Sequence, residues 1–312
     1  MRVVALAGGV GAARLLRGLV EVMAPEDLVA VVNTGDDREF YGLHVSPDLD
    51  IVSYTLSDRV DREKGYGIAG DSFAVVDALA RFGHETWFRL GDQDLATCLH
   101  RTIALRAGRG LADVTDELRR ALGVRPRILP MSEDPCPTYV ELRDGRRLHF
   151  EEYLARDGAP DHVAAVDLGA AERARPAPGF LDALAGADAI VVCPSNPVVS
   201  IGPILAVPDV RAALRLSAAP IVAVSPIVGG APVKGPAAQL LRGIGAEVSA
   251  RGVAALYRDF ATGFVFDERD AAQTDDVRAL GLATETLDTL MVDVPRAARV
   301  ASAALELATR LR

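Results

Sequence analysis

The sequence contains little cysteine and no long apolar run. Only three of its 312 residues are cysteine, Cys98, Cys136 and Cys193, and none stands in a C-x-x-C pair. An odd number of cysteines without that spacing argues against a disulfide framework and favours a reducing compartment. No apolar run approaches the roughly 18–20 residues of a membrane-spanning helix, and Gly8-Gly9 interrupts the N-terminal apolar stretch too early for a signal peptide. We therefore predict a cytoplasmic protein without membrane association.

Positive charge is also scarce. The chain has 34 Lys and Arg residues against 43 Asp and Glu residues, a formal net charge of −9. Broad binding to a nucleic-acid backbone needs clustered Lys and Arg, so this balance argues against nucleic acid and favours small-molecule partners. With 50% apolar and 25% charged residues, the length fits two domains or one large α/β domain with an insertion.

Several catalytic signatures are absent. The five histidines show no metal-binding spacing such as H-x-x-x-H, and no G-x-S-x-G elbow occurs. No Gly-Lys-Ser/Thr follows the N-terminal glycines, which excludes a P-loop. Histidine-based metal chemistry and serine-hydrolase chemistry therefore have no support in the sequence.

The two ends of the chain show the pattern of a parallel α/β sheet. A short apolar run at Val3–Ala7 precedes a 3.6-residue apolar periodicity within Ala12–Met23 and a second apolar run at Leu28–Val32. Further strands are predicted at Ala189–Val192, Pro220–Val224, Gly263–Phe266 and near Met291-Val292, before a C-terminal helix over Pro295–Leu311. We predict an α/β fold with a Rossmann-like, doubly wound, mostly parallel sheet.

The middle of the chain differs from its ends. Helical spacing recurs over Leu49–Arg59, Ser72–Phe82, Leu95–Arg106 and Val114–Leu122. Two strand-like segments between Thr138 and Phe150 flank Asp144-Gly145, a strong hairpin turn signal. We predict a nucleotide-binding core formed by residues 1–50 and 186–312, and a mostly helical insertion with a small β-hairpin over residues 51–185.

A glycine-rich turn directly follows the first predicted strand. Gly8, Gly9 and Gly11 would let a phosphate approach backbone N–H groups at a helix N-terminus. A dinucleotide fingerprint fails because its last small position is Arg14 and the second strand ends in Asn33 rather than an acidic residue. We expect a nucleotide site of another kind, in which Arg14 faces the anion.

An acidic segment follows the second predicted strand. Asp36, Asp37, Asp48 and Asp50 fall within 15 residues, beginning at the carboxyl end of that strand. Open α/β sheets bind ligands at this edge, and Mg²⁺ prefers carboxylate and carbonyl oxygens beside water and phosphate. The alternative is an ordinary solvated acidic loop, which the neighbouring glycine turn makes less attractive.

Three further segments carry candidate ligand-binding groups. Ser195 and Asn196 follow another predicted strand and offer short polar side chains to an anion or a sugar. Gly229 and Lys234 lie beyond the next strand, on the same expected edge, and we assign both to the nucleotide. Trp87–Arg89 is either a packing corner or a surface for a flat ligand.

Taken together, these motifs resemble the 2-phospho-L-lactate transferase family, the CofD/FbiA type of coenzyme F-420 biosynthesis. The segments that carry the resemblance are Gly8–Arg14, Asn33–Asp37 with Pro47–Asp50, Gly91–Ala96 and Pro194–Leu205. They span nearly the whole chain in the family's order. Ala12 departs from the pattern because many members have a glycine there.

The resemblance implies a specific reaction. A phospho-lactyl or phosphoenolpyruvyl group would move from a guanosine-diphosphate-linked donor to the deazaflavin Fo, releasing GMP, with Mg²⁺ required. It also implies a homodimer.

The resemblance further implies site roles. Asp36, with Asp37 close by, would bind the metal, and Asp50 and Arg89 would contact Fo. The glycine turn, Ser195 and Asn196 would hold the nucleotide. We add the hypothesis that Asp50 orients or deprotonates the attacking hydroxyl.

Two other functions remain as alternatives. A nucleotide-sugar-binding regulator of the YvcK-type gluconeogenesis factor class shares the core fold, but the segment Arg38–Leu43 and the motif Pro47–Asp50 favour the transferase. An NAD-dependent dehydrogenase is disfavoured by Arg14 and Asn33. The sequence leaves open whether the donor carries phospholactate, phosphoenolpyruvate or phosphoglycerate.

Overall fold

Fourteen strands form one large parallel sheet and three small antiparallel sheets in the computed structural model, which describes residues 1–312. The strands are β1 (Val3–Ala7), β2 (Leu28–Val32), β3 (Arg38–Phe40), β4 (Leu43–Val45), β5 (Arg127–Pro130), β6 (Tyr139–Leu142), β7 (Arg147–His149), β8 (Val163–Asp167), β9 (Ala189–Val192), β10 (Ile221–Val224), β11 (Ile227–Val228), β12 (Ala231–Pro232), β13 (Gly263–Asp267) and β14 (Ala283–Leu287).

Twelve α-helices accompany these strands. They are α1 (Gly9–Val22), α2 (Pro47–Leu56), α3 (Ala74–Arg81), α4 (Asp92–Arg106), α5 (Leu111–Ala121), α6 (Phe180–Ala185), α7 (Ile201–Ala206), α8 (Val210–Arg215), α9 (Ala237–Gly243), α10 (Ala250–Tyr257), α11 (Thr274–Arg278) and α12 (Val294–Arg310). No helix is both long enough and apolar enough to cross a membrane.

The large sheet confirms the predicted doubly wound α/β fold. Its seven strands run in the order β14-β13-β10-β9-β1-β2-β5, and all neighbouring pairs are parallel. The chain winds outward in one direction from β1 through β2 and in the other from β9 through β10. The carboxyl ends of β1 and β9 therefore meet at a topological switch point, where open α/β sheets bind ligands.

Helices cover both faces of this sheet, as the uninterrupted apolar strands predict. Val3 and Ala5 of β1 belong to a core of 30 buried residues shared with α1 and α12. Val4 and Leu6 point to the opposite face, into a core of 41 buried residues. A strand buried on both faces needs apolar side chains at every position, which explains why β1 lacks the alternation of a half-exposed strand.

Two strands of the sheet differ from the sequence prediction. The prediction of a strand near Met291-Val292 is wrong. The seventh strand is Ala283–Leu287, a half-buried edge strand whose central Thr and Glu residues give no apolar pattern in the sequence. Arg127–Pro130, inside the range predicted as an insertion, adds the other edge strand. A four-residue edge strand ending in proline gives little sequence signal.

The middle of the chain otherwise matches its predicted elements. Four helices and the hairpin of β6 and β7 are present, with Gly145 in the turn at φ +88°. β8 pairs with β6 and extends the hairpin to three strands. The division into a core and an insertion stays a prediction, although residues 51–185 also contribute β5 to the central sheet.

Candidate active site

A cavity of about 1030 Å³ lies at the carboxyl edge of the central sheet. Ten of the residues singled out from the sequence line it: Gly8, Gly9, Gly11, Arg14, Asp36, Asp50, Arg89, Ser195, Asn196 and Lys234. Asp37 and Gly229 are not among its lining residues. The fold therefore brings most of the candidate site to one place, from segments almost the whole chain apart.

The glycine turn is held by neighbouring polar side chains. The N–H of Gly8 donates to Ser195 Oγ at 3.3 Å, and the N–H of Gly9 donates to Asp48 Oδ1 at 2.7 Å. These two amides already have partners, so a phosphate at the start of α1 would meet the next amides of the turn. A Cβ on Gly11 would collide with the carbonyl oxygen of Pro194, so this glycine also permits close packing of the loops after β1 and β9.

Three buried carboxylates face one another across one wall of the cavity. Asp36, Asp48 and Glu151 are only 4%, 3% and 6% exposed. Burial, followed by the charge of Asp48, raises the pKa of Asp36 well above its usual value. Burial also raises the pKa of Asp48 to about 6 and that of Glu151 to about 8. The arrangement concentrates negative charge where little water reaches it.

This wall suits a divalent cation. Asp36 Oδ1 is buried and has no hydrogen-bond partner, which is costly unless something binds it. Asp48 is fixed by Gly9 and by Asn33 Nδ2, which donates to Asp48 Oδ2 at 2.9 Å. Oxygen ligands of this kind are what Mg²⁺ prefers. From the sequence, Asp48 was a member of the acidic segment without an assigned role. Glu151 was not among the predicted site residues, because it follows the hairpin and belongs to no motif.

Asp37 is engaged elsewhere through one oxygen, while its Oδ1, like that of Asp36, is buried without a hydrogen-bond partner. Its Oδ2 accepts hydrogen bonds from Ser46 Oγ at 2.7 Å and interacts with His44 Nε2 at 3.0 Å. It lines a separate recess of about 290 Å³ with Arg38 and His149. Asp37 is therefore a neighbour of the carboxylate wall rather than part of the main cavity.

Asp50 forms an ion pair inside the cavity wall. Arg101 of α4 is 1% exposed, and its Nη1 donates to Asp50 Oδ2 at 3.1 Å while its Nη2 donates to Oδ1. Burial raises the pKa of Asp50, and the Arg101 guanidinium opposes that shift. Arg101 is not recognisable from the sequence, because it is a single arginine within a predicted helix and belongs to no motif.

Asp94 lies beside this ion pair. Its Oδ1 accepts a hydrogen bond from the Tyr54 hydroxyl at 2.8 Å, and it lines the same cavity. Burial, followed by the charge of Asp50, raises the pKa of Asp94 to about 7. Ligand atoms of Asp50, Asp94 and Cys98 all lie within 4.8 Å of one another. Arg101 already compensates the charge of Asp50, and burial raises the pKa of the Cys98 thiol, which favours its neutral form. These three residues are therefore a poor site for a metal ion.

Two aspartates fix the segment that carries these groups. Asp71 accepts the N–H groups of Gln93 and Asp94 at the start of α4, while Asp92 accepts those of Ala74 and Val75 at the start of α3. The two helix N-termini are thus capped reciprocally. A Cβ on Gly91 would collide with the Asp71 side chain, so the close approach requires this glycine.

Two cations, Arg14 and Lys234, also line the cavity. Arg14 Nη1 donates to the carbonyl oxygen of Met291 at 3.3 Å. Lys234 Nζ donates to the carbonyl oxygen of Lys64 and lies 5.3 Å from the centre of the Tyr66 ring. Burial, followed by the charge of Arg14, lowers the pKa of Lys234. Two cations close enough to repel each other in this way are suited to bind an anion.

The remaining candidates occupy the periphery. Arg89 pairs with Asp77 at 2.8 Å and lies 4.8 Å above the Phe73 ring, with its side chain 49% exposed. Asn196 Oδ1 accepts the N–H of Val198 at 3.0 Å and so shapes its own loop.

Gly229 is paired away from the cavity. The N–H groups of Gly229 and Gly230 both donate to Asp270, each at 2.8 Å. This carboxylate occupies the turn where the sequence placed a nucleotide. The geometry therefore gives no support to a nucleotide contact by Gly229.

Comparison with known proteins assigns the family. The family model described as 2-phospho-L-lactate transferase CofD matches residues 3–302. The chain is 45% identical to a phosphoenolpyruvate transferase of Kitasatospora aureofaciens, covering 100% of this chain and 99% of that protein. It is 40% identical to a 2-phospho-L-lactate transferase of Methanosarcina mazei, covering 94% and 96%.

Solved structures support the fold. Two crystal structures of protein BH3568 from Bacillus halodurans, one described as a member of the UPF0052 family, superpose with a TM-score of 0.65. They are 19% and 20% identical to this chain, cover 97% of it, and are themselves covered to 99% and 98%. At that identity they show the fold alone. The family model and the sequence relatives show that the chain belongs to the 2-phospho-L-lactate transferase CofD family and is a transferase of the phospho-lactate and phosphoenolpyruvate type.

Proposed function

We propose, with this family membership as the premise, that the chain moves a phospho-lactyl or phosphoenolpyruvyl group from a guanosine-diphosphate-linked donor to a hydroxyl of the deazaflavin Fo. GMP is the second product, and the step belongs to coenzyme F-420 biosynthesis. The observation that carries the proposal is the cavity at the switch point, which is lined both by buried carboxylates and by cations. A diphosphate bridged between a divalent cation and basic side chains needs this combination.

The donor binds, in this proposal, across the glycine turn. Arg14 and Lys234 face its phosphates, because they are the neighbouring cations on the cavity wall. Ser195 and Asn196 lie on the loop after β9, next to the turn that Ser195 already contacts. The start of α1 adds the partial positive charge of a helix N-terminus.

The carboxylate wall holds Mg²⁺ in this proposal. Asp36 is the principal ligand because its buried Oδ1 lacks a partner, it lines the cavity, and Asp48 and Glu151 face it. Asp37 lies next to it in sequence, and its Oδ1 is also buried without a partner, whereas its Oδ2 is already hydrogen-bonded. When bound, Mg²⁺ supplies charge neutralisation on the transferred phosphate.

The acceptor lies along the remaining wall. Asp50 contacts Fo in this proposal, and Arg89 lies at the outer end of the same wall with Trp87 and Phe88. Aromatic side chains beside a cation offer a surface for the flat deazaflavin ring. The hydroxyl of Fo then attacks the phosphorus distal to guanosine, and GMP leaves in line.

A nucleotide-sugar-binding regulator is the weaker alternative. Such a protein needs no acceptor wall, whereas this cavity extends from the nucleotide end past Asp50 to Trp87 and Arg89. We further propose that the protein works in the cytoplasm as a homodimer. Exposed apolar side chains, including Phe82 at 80% just after α3 and Ile103 at 61% on α4, support a subunit contact that light scattering tests.

Product analysis tests the proposed function. Purified protein is incubated with Fo, Mg²⁺ and each guanylylated donor, carrying phospholactate, phosphoenolpyruvate or phosphoglycerate, and GMP and the phosphodiester product are quantified. We expect stoichiometric formation of both with at least one donor, and loss of both in Asp36→Asn. Asp276→Asn is a matched control, since Asp276 is exposed on α11 and makes no side-chain hydrogen bond or ion pair. Nucleotide binding without product formation from any donor would favour the regulator.

A further inference from the structure

Two carboxylates lie side by side on the cavity wall, and they differ in their hydrogen-bond partners. Asp50 and Asp94 both line the cavity, with ligand atoms within 4.8 Å of each other. Both oxygens of Asp50 accept hydrogen bonds from Arg101, a guanidinium that is itself 1% exposed. A carboxylate held in this bidentate pair has both oxygens committed to the guanidinium, so neither is free to receive a proton from an acceptor.

Asp94 has no such cation of its own. Its Oδ1 accepts from the Tyr54 hydroxyl, and its Oδ2 has no hydrogen-bond partner. The backbone N–H of Asp94 is bound by Asp71, so the side chain is carried on a capped first turn of α4 and has a fixed position. An oriented carboxylate with one uncommitted oxygen at the cavity wall is suited to accept a proton.

We propose that Asp94 receives the proton of the attacking acceptor hydroxyl, while Asp50, held by Arg101, binds and positions the acceptor. The inference rests on the proposed function and deepens it. The hydroxyl O–H bond breaks as its oxygen bonds to the phosphorus distal to guanosine. The bond from that phosphorus to the bridging oxygen breaks, GMP carries that electron pair away, and the proton moves to Asp94 and then to solvent.

The surroundings of Asp94 are consistent with this role. Asp50 and Tyr54 face it from α2, Arg101 from α4, and Asp71 from the segment before α3. Burial and the Asp50 charge raise the pKa of Asp94 to about 7, while the Tyr54 hydrogen bond acts in the opposite direction. A base with a pKa near the working pH combines availability with proton affinity.

Neighbouring groups are less suited to the task. Burial raises the pKa of the Cys98 thiol, which therefore stays protonated and does not act as a base. Asp36, Asp48 and Glu151 belong to the carboxylate wall assigned to the cation. Asp94 is thus the uncommitted base on the acceptor side.

The first experiment compares Asp94→Asn with the wild-type protein. We expect kcat to fall roughly 10²–10³-fold, the usual contribution of general-base catalysis, while Fo and GDP affinities stay within threefold. Asp113→Asn is the matched control: Asp113 is also a first-turn aspartate, on the neighbouring helix α5, but it is exposed, makes no side-chain hydrogen bond or ion pair and lies outside the cavity lining, so kcat should stay within threefold. A kcat of Asp94→Asn within threefold of wild type would overturn the proposal.

The second experiment uses the pH profile of kcat in Tyr54→Phe, which remains informative if Asp94→Asn folds poorly. Removing the hydroxyl removes a hydrogen bond to the charged carboxylate, so the acidic limb should shift to higher pH, with activity approaching wild type on the alkaline side. An unmoved limb contradicts the assignment. Wild-type protein that forms no product with any donor rejects the proposed function itself, whereas normal wild-type turnover with fully active Asp94→Asn rejects only this inference.

Discussion

Two sets of charged residues line the cavity, and they differ in how deeply they are buried. The carboxylate wall is buried: Asp36 and Asp48 are 4% and 3% exposed, and the strands and loops around them fix their positions. The cations are less buried: Lys234 is exposed, and Arg14 on α1 is half-buried. The carboxylates are part of the folded core, whereas the cations are closer to the surface.

This difference determines how strongly each set responds to change. Charges without water between them interact strongly, so the carboxylates perturb one another and destabilise the unliganded fold. Exposed cations are screened by solvent and salt, and each contributes little alone. We therefore predict large changes in activity and stability when residues of the carboxylate wall are replaced. Replacing the cations should cause smaller changes in ligand affinity, and these should depend on salt.

The largest effect is expected from Asp36→Asn. An amide is a poor replacement for a charged metal ligand, so kcat should fall by at least about 10²-fold. Without Mg²⁺ the same change should raise Tm by roughly 2–4 °C, because it removes a buried carboxyl whose ionisation is disfavoured by burial and by Asp48 and Glu151. Calorimetry and Mg²⁺ titration of activity measure both. Near-normal turnover with unchanged Mg²⁺ dependence would remove Asp36 from the metal site.

The pH dependence of stability should reveal the same wall. Glu151 has a pKa of about 8 in the fold, above its ordinary value of 4.5, so the folded state holds a proton that the unfolded state lacks between these pH values. Unfolding free energy therefore falls as pH rises. We expect a loss on the order of 1–2 kcal/mol between pH 6.5 and 8 without Mg²⁺.

Other groups do not reverse this trend in that window. The pKa of His149 is lowered to about 4 from an ordinary value of 6.5, so most of its opposing contribution arises below pH 6.5 and only about 0.4 kcal/mol remains above it. The pKa of Asp134 is lowered to about 2, and its contribution is constant above pH 5. Denaturant unfolding at several pH values checks the slope, and saturating Mg²⁺ should flatten it. A stability that rises from pH 6.5 to 8 would contradict the buried-carboxylate account.

Lys234→Ala should have an intermediate effect. In the proposed function this lysine is one of two cations that face the donor phosphates, so its loss should raise the donor KM about tenfold with a smaller change in kcat. The effect should shrink at high salt because Lys234 is exposed. Steady-state kinetics at two ionic strengths provides the test, and a salt-independent loss confined to kcat would place Lys234 at the reacting centre instead.

The smallest effect is expected from Arg89→Ala. This side chain is about half exposed and already paired with Asp77, so Fo affinity should fall only a few-fold, with GDP affinity unchanged. Fluorescence titration with Fo and calorimetry with GDP separate the two ligands. A loss of GDP affinity with intact Fo affinity would reverse the assignment of this wall.

Much of the central sheet could be predicted from the sequence because its strands are buried on both faces. Uninterrupted apolar runs such as Val3–Ala7 and Leu28–Val32 match the observed strands, since no position there tolerates a polar side chain. Edge strands follow different rules: Ala283–Leu287 is half-buried and polar, and Arg127–Pro130 is short. Neither leaves a periodic signal.

The parts of the candidate site that are formed by local motifs could be predicted from the sequence. The parts that are formed by packing between distant segments could not. The glycine turn and the acidic segment were visible as strings of residues next to strands. Glu151 and Arg101 were not, because their importance lies in contacts with residues 115 and 51 positions away, Asp36 and Asp50, as counted from the sequence. Asp270 shows the converse, since it fills a glycine turn that the sequence alone left open for a ligand.

The hydrogen bonds that hold the glycine turn also bear on how the protein folds. Gly8 pairs with Ser195 across 187 positions, and Gly9 pairs with Asp48 across 39. Contacts this distant in sequence form late, because the intervening chain must first be closed into a loop. The ligand site is therefore a marker of completed folding: in refolding experiments, nucleotide affinity should return only with the final kinetic phase. A polypeptide released before Ala189–Val192 joins the sheet would have helices and strands but no site.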